Sequence, residues 1–443
     1  MAANIESLTL DVKGLFGLYD YTLTATSAEP LILTGPNGYG KTTLLTIIKN
    51  LKSGNILYFL TLPFSRIQIS VNDTLMLTVT SNTGHKDSDN PDDEEDEEES
   101  EKTILFESGD TPADRLELST DILEKTMRPW QWRDLHEAGR RPEEISEYEA
   151  AILLESHSEE VLKLLVRKQK SNLGLIFAAL PDVSFVQANR LNHSMSGDEP
   201  ESATNARRNQ TEEIVNISRH LKSLLEKEYR QFLSTSQKSD KDFIRNILSQ
   251  DKGISQEIYS DLSVQIEEVS SGLSRFGLAE EIKMPAYNEE KSFILRSYAL
   301  ELAKSINCYK LLLNKLSLFS KLINAKKLAG KRISIHREHG LRMVSTSDRS
   351  FIEIERLSSG EKNQLILLYD LIFRVPDDSV LLIDEPELSL HVAWQMDFLD
   401  DLKKIASQKR LKVIIATHSP HIVADHWNLC YDLFEVSNPT ADE

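Results

Sequence analysis

The sequence contains little cysteine and no long apolar run. Its 443 residues include two cysteines, Cys308 and Cys430, which lie far apart and outside any CxxC pair. This spacing indicates neither a disulfide framework nor a zinc site. No apolar segment approaches the roughly 18–20 residues that a membrane-spanning helix needs, and the first residues do not form a signal-peptide pattern. We therefore expect a cytoplasmic protein in a reducing environment, with no membrane partner.

Acidic residues outnumber basic ones, 70 to 51, and much of the imbalance has one local source. The formal net charge is −19, and the segment from Asp87 to Glu101 holds 11 acidic residues and no basic one. Without that segment, the remainder of the chain carries a net charge of −8. Because such a run cannot bury apolar surface, it predicts a solvated, self-repelling insertion. Binding of a basic partner is the alternative.

Four short apolar runs predict strands that are buried on both faces, and each is followed by polar residues. These runs are residues 31–33, 183–186, 380–383 and 413–416, with weaker strand patterns at 8–12 and 21–25. The strands of an α/β sheet present ligand sites at their carboxyl ends. The polar residues after these strands are therefore the first candidates for a functional site.

Between these runs the chain has the 3.6-residue period of helices, at residues 145–180 and 210–330, and then a hairpin pattern that turns at residues 338–340. This order predicts an α/β head that is split in sequence, with helical material inserted in its middle. The predicted segments are 1–85 (N-terminal lobe), 86–104 (acidic insertion), 105–180 (mostly helical insertion), 181–192 (head strand), 193–325 (helical insertion), 326–436 (C-terminal lobe) and 437–443 (tail).

The stretch GPNGYGKTT, residues 35–43, matches the P-loop pattern GxxxxGK[ST] between an apolar strand and an apolar helix. Its glycines let backbone N–H groups surround phosphate oxygens, and the helix N-terminus adds a favourable dipole. Lys41 should reach the β- and γ-phosphates, and the Thr42 hydroxyl should ligate Mg²⁺. ATP and Mg²⁺ are thus the expected ligands. The predicted nucleotide contacts are Gly35, Asn37, Gly38, Gly40, Lys41, Thr42 and Thr43.

Two further motifs supply the groups expected to act on the phosphate. In LLIDEPELSLH, residues 381–391, Asp384 is suited to binding Mg²⁺, and Glu385 can polarise the attacking water. Glu387 is a less certain participant, and a capped turn is the alternative for the Asp-Glu-Pro sequence. In ATHSP, residues 416–420, His418 follows a strand and is a candidate γ-phosphate contact, although a lone histidine is commonly structural. The predicted catalytic set is Lys41, Glu385 and His418.

The stretch RLSSGEKNQ, residues 356–364, completes a resemblance to a known family. LSSGEK resembles the signature loop of ABC-type ATPases, whose usual form is LSGGQ, and the order of P-loop, signature, Asp-Glu and switch histidine is theirs. EPELSLH and ATHSPHIV are more similar to the RecF-like and OLD-like branch than to transporters. The resemblance covers roughly residues 1–85, 182–192 and 326–436, and it says little about the helical insertions.

The resemblance also implies roles for individual residues. Gln187 matches the Q-loop glutamine, a contact of nucleotide and metal, and residues 389–391 match the D-loop that lies between subunits. Ser359 and Glu361 depart from the Gly and Gln typical of transporters. The residues that match the nucleotide-contacting signature are Ser358, Ser359, Gly360 and Glu361.

In ABC-type heads the signature loop caps the nucleotide that a neighbouring chain holds. The resemblance therefore implies a head-to-tail pair of this chain around two ATP molecules, or a larger homo-oligomer. Ser358 and the helix start near Gly360 would offer hydroxyl and N–H donors to the γ-phosphate. The alternative is local: Ser358, Ser359 and Glu361 could simply cap the helix that follows.

Three weaker patterns have both a functional and a structural interpretation. Tyr19 and Tyr21 could stack on adenine or pack in the core. Trp130 and Trp132 could form an exposed contact or pack the first insertion. Residues 315–342 hold eight Lys or Arg against the single acid Glu338, which could contact nucleic acid or be a solvated face.

The resemblance also gives two hypotheses for the cellular role of the ATPase. The chain looks similar to the ATPase subunits of PARIS-type, and secondly Septu-type, anti-phage systems, which control a separate nuclease; a Toprim or HNH nuclease encoded nearby would be the partner. No nuclease is evident in this chain, because only about 20 residues follow Pro420, too few for such a domain. A RecF-like or SMC-like DNA-repair ATPase is the alternative, and the overall charge does not indicate DNA binding. A transporter subunit is disfavoured.

Overall fold

The computed structural model describes residues 5–83, 102–119, 122, 158–187, 203–249, 253–326, 328 and 330–437. The acidic run 87–101 and the pair Trp130 and Trp132 lie outside these residues. Contacts divide the chain into two compact units: the first comprises residues 1–188, 375–388 and 395–443, and the second comprises residues 189–374 and 389–394.

The described residues form the following strands and helices. The strands are β1 (Ser7–Leu15), β2 (Tyr19–Thr26), β3 (Leu31–Thr34), β4 (Arg66–Val71), β5 (Thr74–Thr83), β6 (Lys102–Glu107), β7 (Arg115–Leu118), β8 (Val183–Gln187), β9 (Lys331–His336), β10 (Gly340–Ser345), β11 (Phe351–Ile352), β12 (Val380–Asp384), β13 (Lys412–Ala416) and β14 (Cys430–Asp432). The helices are α1 (Lys41–Ser53), α2 (Tyr58–Thr61), α3 (Ser158–Gln169), α4 (Leu173–Ala179), α5 (Ala203–Ser249), α6 (Gln256–Arg275), α7 (Ser292–Asn307), α8 (Lys310–Ala325), α9 (Ser359–Tyr369), α10 (Val392–Lys409), α11 (Pro420–Val423) and α12 (Leu433–Ser437).

The first unit contains two sheets around one core. An antiparallel sheet has the order β2-β1-β4-β5-β6-β7, and a parallel sheet has the order β14-β3-β13-β12-β8. The apolar residues of α1, such as Leu44 and Ile48, are fully buried in a cluster that includes residues from both sheets. Since β12 and β13 are buried at every residue, they read as continuous apolar runs, as expected for strands covered on both faces.

All four strands predicted from apolar runs are present, as β3, β8, β12 and β13, and the two weaker patterns lie in β1 and β2. The prediction that residues 105–180 are mostly helical is wrong for residues 105–118. There β6 ends and β7 follows, and both strands pair in the antiparallel sheet. Ile104, Phe106, Leu116 and Leu118 are fully buried, so this segment follows the two-residue period of strands rather than the helical period.

The second unit combines helices with a small sheet of order β11-β10-β9. The long helix α5 packs against β10 and α9, and α8 packs against β9. The predicted hairpin is confirmed, with β9 and β10 in antiparallel register around residues 337–339. Residues 326–374 were predicted to belong to the C-terminal lobe of the head. They cluster instead with the second unit, because the hairpin and α9 pack on the inserted helices.

None of the described helices is long and apolar enough to cross a membrane.

Candidate nucleotide site

Four strands of the parallel sheet end at one edge of the first unit, and each is followed by predicted site residues. Asp384, the last residue of β12, lies in register with Ala416 of β13 on one side and with Gln187 of β8 on the other. Ala416 in turn lies in register with Leu33 of β3. The P-loop, the Asp-Glu pair, the histidine turn and Gln187 therefore meet at the same edge, as predicted for parallel strands.

The P-loop connects β3 to α1 through backbone conformations that favour glycine. Gly38 and Gly40 have φ values of 91° and 87°, in the left-handed region that other residues rarely adopt. At Gly40, which precedes the first residue of α1, a Cβ atom would lie 3.0 Å from a methyl carbon of Leu15. The loop can therefore turn tightly and direct N–H groups at the helix N-terminus toward a phosphate, which is what the motif requires.

Lys41 is buried inside this loop. Its Nζ donates hydrogen bonds to the carbonyl oxygens of Gly35 (2.8 Å) and Pro36 (2.9 Å), and the side chain is 6% exposed. Burial lowers the pKa of Lys41, while the nearby carboxylates of Glu385 and Asp384 raise it in part. The chain thus holds a cation at the position where the motif predicts contact with phosphate oxygens.

Thr42 and Asp384 meet at the start of α1 and the end of β12. The Thr42 hydroxyl donates to Oδ1 of Asp384 at 3.0 Å. Burial raises the pKa of Asp384 to about 6, and the hydrogen bond from Thr42 opposes this shift, so most of the carboxylate is ionised at pH 7. A hydroxyl and a carboxylate at this spacing are oxygen ligands that suit one Mg²⁺ ion. The residues present therefore fit the metal that the sequence predicts.

Glu385 has a strained backbone. Its φ is 49°, in the left-handed region, and its N–H donates to the carbonyl of Ala416 at 2.9 Å. For a residue other than glycine such a conformation is unfavourable by about 1–3 kcal/mol and concentrates at functional sites. The structure thus places the predicted water-activating carboxylate directly after Asp384, half-buried and held by β13.

His418 lies on the turn after β13, and its side chain is exposed. The backbone N–H of His418 donates to Oε1 of Glu387 at 2.8 Å, and the hydroxyl of Thr417 donates to Oε2 of the same carboxylate at 2.8 Å. Glu387 is therefore hydrogen-bonded to the turn that carries His418. Thr417 was not predicted as a partner of Glu387, although it lies within ATHSP. Gln395 of α10, whose Nε2 donates to the carbonyl of Glu387 at 3.2 Å, was not predicted either, because it lies in no recognisable motif.

The signature stretch forms the N-terminus of α9 in the second unit. The Ser358 hydroxyl accepts from the N–H of Glu361 (3.3 Å), and the Glu361 carboxylate accepts from the N–H of Ser358 (2.9 Å). Lys331 also pairs with Glu361 at 3.0 Å. Burial alone would raise the pKa of Glu361, but the bonds from Ser358 and Lys331 outweigh burial and lower it. The local capping alternative is therefore realised, and Ser359 and Gly360 form the first residues of the helix.

The segment that matches the D-loop also lies in the second unit. Ser389 is buried and His391 is exposed, and the His391 ring is 5.9 Å from the ring of Trp394. Their contact with a second subunit stays a prediction.

Aromatic side chains contact Tyr39 of the P-loop. Tyr21 is 1% exposed, and its hydroxyl donates to the carbonyl of Tyr39 at 3.0 Å, so its role is in the core. Tyr19 is half-buried and its ring lies 5.2 Å from that of Tyr39, which also meets the ring of Phe434 edge-on at 5.6 Å. Contact between adenine and Tyr19 stays a prediction.

Three of the eight basic residues of the stretch 315–342 are engaged in packing. Lys331 pairs with Glu361, and the Arg337 guanidinium lies 3.9 Å from the centre of the Tyr229 ring and donates to the carbonyl of Gly277. Lys326 is buried. These contacts favour the structural interpretation for the three residues, and a nucleic-acid contact of the others stays a prediction.

Comparisons with known proteins agree with this site. The chain matches, over residues 31–424, a family model described as "AAA domain, putative AbiEii toxin, Type IV TA system". It is 29% identical over 116 residues to the lipoprotein-releasing system ATP-binding protein LolD of Ehrlichia ruminantium, which covers 26% of this chain and 49% of that protein. It is 31% identical over 93 residues to the "Retron Ec83 probable ATPase" of Escherichia coli, covering 18% of this chain and 17% of that protein. The chain thus spans about half the length of the first relative and less of the second.

The solved structures that match this chain include heads of SMC proteins. An SMC head bound to the C-terminal winged-helix domain of ScpA is 14% identical, with a TM-score of 0.33, over 95% of this chain and 91% of that one. The SMC head domain from Thermotoga maritima is 12% identical, with a TM-score of 0.32, over 97% and 94%. The family match and the parallel sheet with its P-loop confirm the predicted α/β fold of the P-loop ATPase type.

Proposed function

This chain belongs to the AAA-domain family whose model it matches over residues 31–424, and we propose that it is an ABC-type ATPase that hydrolyses ATP to ADP and phosphate. The observation that carries the proposal is the meeting of Lys41, Thr42, Asp384 and Glu385 at one sheet edge, with Thr42 and Asp384 in direct contact. These are the residue types that phosphoryl transfer to water requires: a phosphate cradle, ligands for a cation and a carboxylate base.

In the proposed reaction a water oxygen bonds to the γ-phosphorus while the bond from that phosphorus to the bridging oxygen of ADP breaks. Glu385 accepts a proton of the attacking water. Lys41 and the N–H groups at the start of α1 bind the β- and γ-phosphate oxygens, and His418 donates to the γ-phosphate. Mg²⁺, held by Thr42, Asp384 and Gln187, would neutralise phosphate charge. Burial of Lys41 strengthens its attraction to the phosphate, because the surroundings screen the charge less than water does.

We further propose that each site is completed by Ser358 and Gly360 of a second copy. The resemblance of LSSGEK to the ABC signature supports this, and the exposed Ser358 at the N-terminus of α9 leaves a hydroxyl and helix N–H groups at the surface. For Ser358 to donate to a phosphate, its hydroxyl must turn from Glu361, to which it also donates.

Mixing two inactive variants tests this sharing of sites. Lys41→Ala removes the phosphate contact, and Ser358→Phe blocks the signature face; each alone should have negligible ATPase activity. In a mixed pair, the intact P-loop of one chain meets the intact signature of the other, so the mixture should regain activity that neither variant has. Ser358→Asn, which retains a helix cap, separates loss of the cap from the steric block. Full activity of a strictly monomeric form would refute the proposal.

The proposed role of the ATPase is to control a partner effector, a nuclease, in anti-phage defence. Three findings support it: the toxin–antitoxin description of the family, the similarity to a retron ATPase, and the EPELSLH and ATHSPHIV motifs of the RecF-like and OLD-like branch. In this proposal, ATP-driven pairing of heads is the change that holds or releases the effector.

Purification of the tagged chain from its native host, with the neighbouring genes present, tests the effector. We expect a nuclease to co-purify with the wild type and its retention to change in a Glu385→Gln variant, in which ATP stays bound. Recovery of this chain alone, together with ATPase activity that DNA increases and salt lowers, would instead favour a DNA-repair role.

A further inference from the structure

The turn that carries His418 is held by hydrogen bonds that the proposed function does not use. The Glu387 carboxylate accepts from the N–H of His418 through Oε1 and from the hydroxyl of Thr417 through Oε2, both at 2.8 Å. Bonds from two donors fix the direction of a carboxylate, and bonds to an ionised acceptor are stronger than those between neutral groups. Glu387 therefore anchors the backbone at the histidine itself.

A second path of hydrogen bonds joins the turn that carries Glu387 to the turn that carries His418. Nε2 of Gln395 donates to the carbonyl of Glu387 at 3.2 Å, and Oε1 of Gln395 accepts from the hydroxyl of Ser419 at 2.8 Å. The N–H of Ser419 donates to the Thr417 hydroxyl at 3.0 Å. Glu387, Gln395, Thr417 and Ser419 thus form a closed ring, which we call the Glu387 bracket.

Two of the four residues of the bracket are buried, and Glu387 and Ser419 are half-buried. Thr417 is 1% exposed and Gln395 is 7% exposed, and the N–H of Thr417 donates to the carbonyl of Leu33 on the P-loop strand. Glu385, two residues before Glu387, donates to Ala416 from its strained backbone. The bracket thus connects the turn that carries Glu385, the candidate base, to the turn that carries His418, the candidate hydrogen-bond donor to the γ-phosphate. It lies next to β3, the strand that leads into the P-loop.

We propose that Glu387 is a positioning residue for ATP hydrolysis: through the bracket it holds the Thr417–His418 backbone so that the His418 imidazole faces the γ-phosphate while Glu385 faces the water. This inference rests on the proposed ATPase function. Without the carboxylate, the N–H of His418 and the hydroxyl of Thr417 lose their shared acceptor, and the turn can shift. A displacement of a catalytic group by about 1 Å can lower a rate by about 100-fold.

Kinetic comparison of Glu387→Ala with Glu387→Gln tests the proposal. Glu387→Ala should lower kcat by about 10- to 100-fold and leave KM and the affinity for ATP within about 2-fold, because the P-loop is untouched. In Glu387→Gln, the amide oxygen can accept from His418 while the amide nitrogen donates to the Thr417 hydroxyl. This conservative variant should therefore recover most of the lost kcat.

A double-mutant cycle with His418→Ala shows whether Glu387 acts through the histidine. If it does, Glu387→Ala added to His418→Ala should lower kcat little further, since the group that it positions is already absent. Additive losses would overturn the proposal and give Glu387 a role independent of His418. Gln395→Ala, which breaks the second path, should give a smaller loss of kcat with the same dependence on His418.

Amide hydrogen exchange gives a readout that does not need activity. Glu387→Ala should increase exchange at residues 417–419 and leave the preceding strand β13 protected, whereas Glu387→Gln should resemble the wild type. Faster exchange in Glu387→Ala, together with a wild-type protein that does not hydrolyse ATP, would refute the proposed function and leave the bracket in place. Unchanged exchange and unchanged kcat in Glu387→Ala would overturn the positioning role. If Glu387→Ala does not fold, Gln395→Ala decides by the same measurements.

Discussion

Lys41→Ala is expected to weaken ATP binding by about 100-fold or more, and with it to abolish hydrolysis. Removing one partner of a buried, hydrogen-bonded charge pair raises the free energy of the complex by roughly 2–5 kcal/mol. The side chain is almost fully buried and already points its Nζ at the loop carbonyls of Gly35 and Pro36, so no large rearrangement is needed to meet a phosphate. Equilibrium binding of a fluorescent ATP analogue measures the loss.

Two further variants separate the charge from the packing. Lys41→Met keeps the length of the buried stem without the ammonium group, and it should lose as much affinity as Lys41→Ala. Lys49→Ala, on the same helix α1 but near the ring of Phe185, should bind ATP as the wild type does. Unchanged ATP affinity in a folded Lys41→Ala protein would refute the assignment of the P-loop.

Glu385→Gln is expected to lower kcat by about 100- to 1000-fold while ATP binding stays intact. An amide cannot accept the proton of the attacking water, and positioned general bases contribute on this scale. Because the side chains are isosteric, the left-handed backbone at residue 385 and its bond to Ala416 are preserved. Bound ATP should therefore accumulate between paired heads, which light scattering and retention of labelled ATP would detect.

Glu29→Gln is the matched control for that variant. Glu29 is exposed and precedes β3, so it lies toward the opposite edge of the parallel sheet. Its substitution should leave both turnover and pairing unchanged. Normal turnover in Glu385→Gln would remove Glu385 as the activating carboxylate and would direct attention to other carboxylates of the same edge.

The parts of the site that the sequence predicted are those at which a motif follows a buried strand. An apolar run of four or five residues gives the strand, and the polar residue after it then lies at the sheet edge whatever the rest of the chain does. Asp384 and Gln187 illustrate this, since their strands are neighbours in register although 197 positions separate the two residues. At these two positions, the sequence motif and the strand order of the sheet identify the same residues as part of the site.

Other features depended on contacts between distant segments and could not be predicted. The strands β6 and β7 follow the two-residue period, but with six and four residues they are too short for the pattern alone to distinguish a strand from a helix, and pairing in the sheet decides. Gln395 becomes part of the site only because α10 brings it beside Glu387 and Ser419. At the signature, the sequence left two interpretations open, and the structure shows that Ser358 and Glu361 form the helix cap.

The position of β14 in the parallel sheet has a consequence for how the protein is made. This strand, residues 430–432, lies beside β3, and Thr34 bonds to Asp432 at 3.3 Å. The sheet edge that surrounds the P-loop therefore joins the start of the chain to a segment that the ribosome synthesises some 400 residues later. Such long-range pairing makes folding slow. Until residues 430–432 are synthesised, β3 lacks this partner strand, and an unpaired strand next to the P-loop is prone to aggregation.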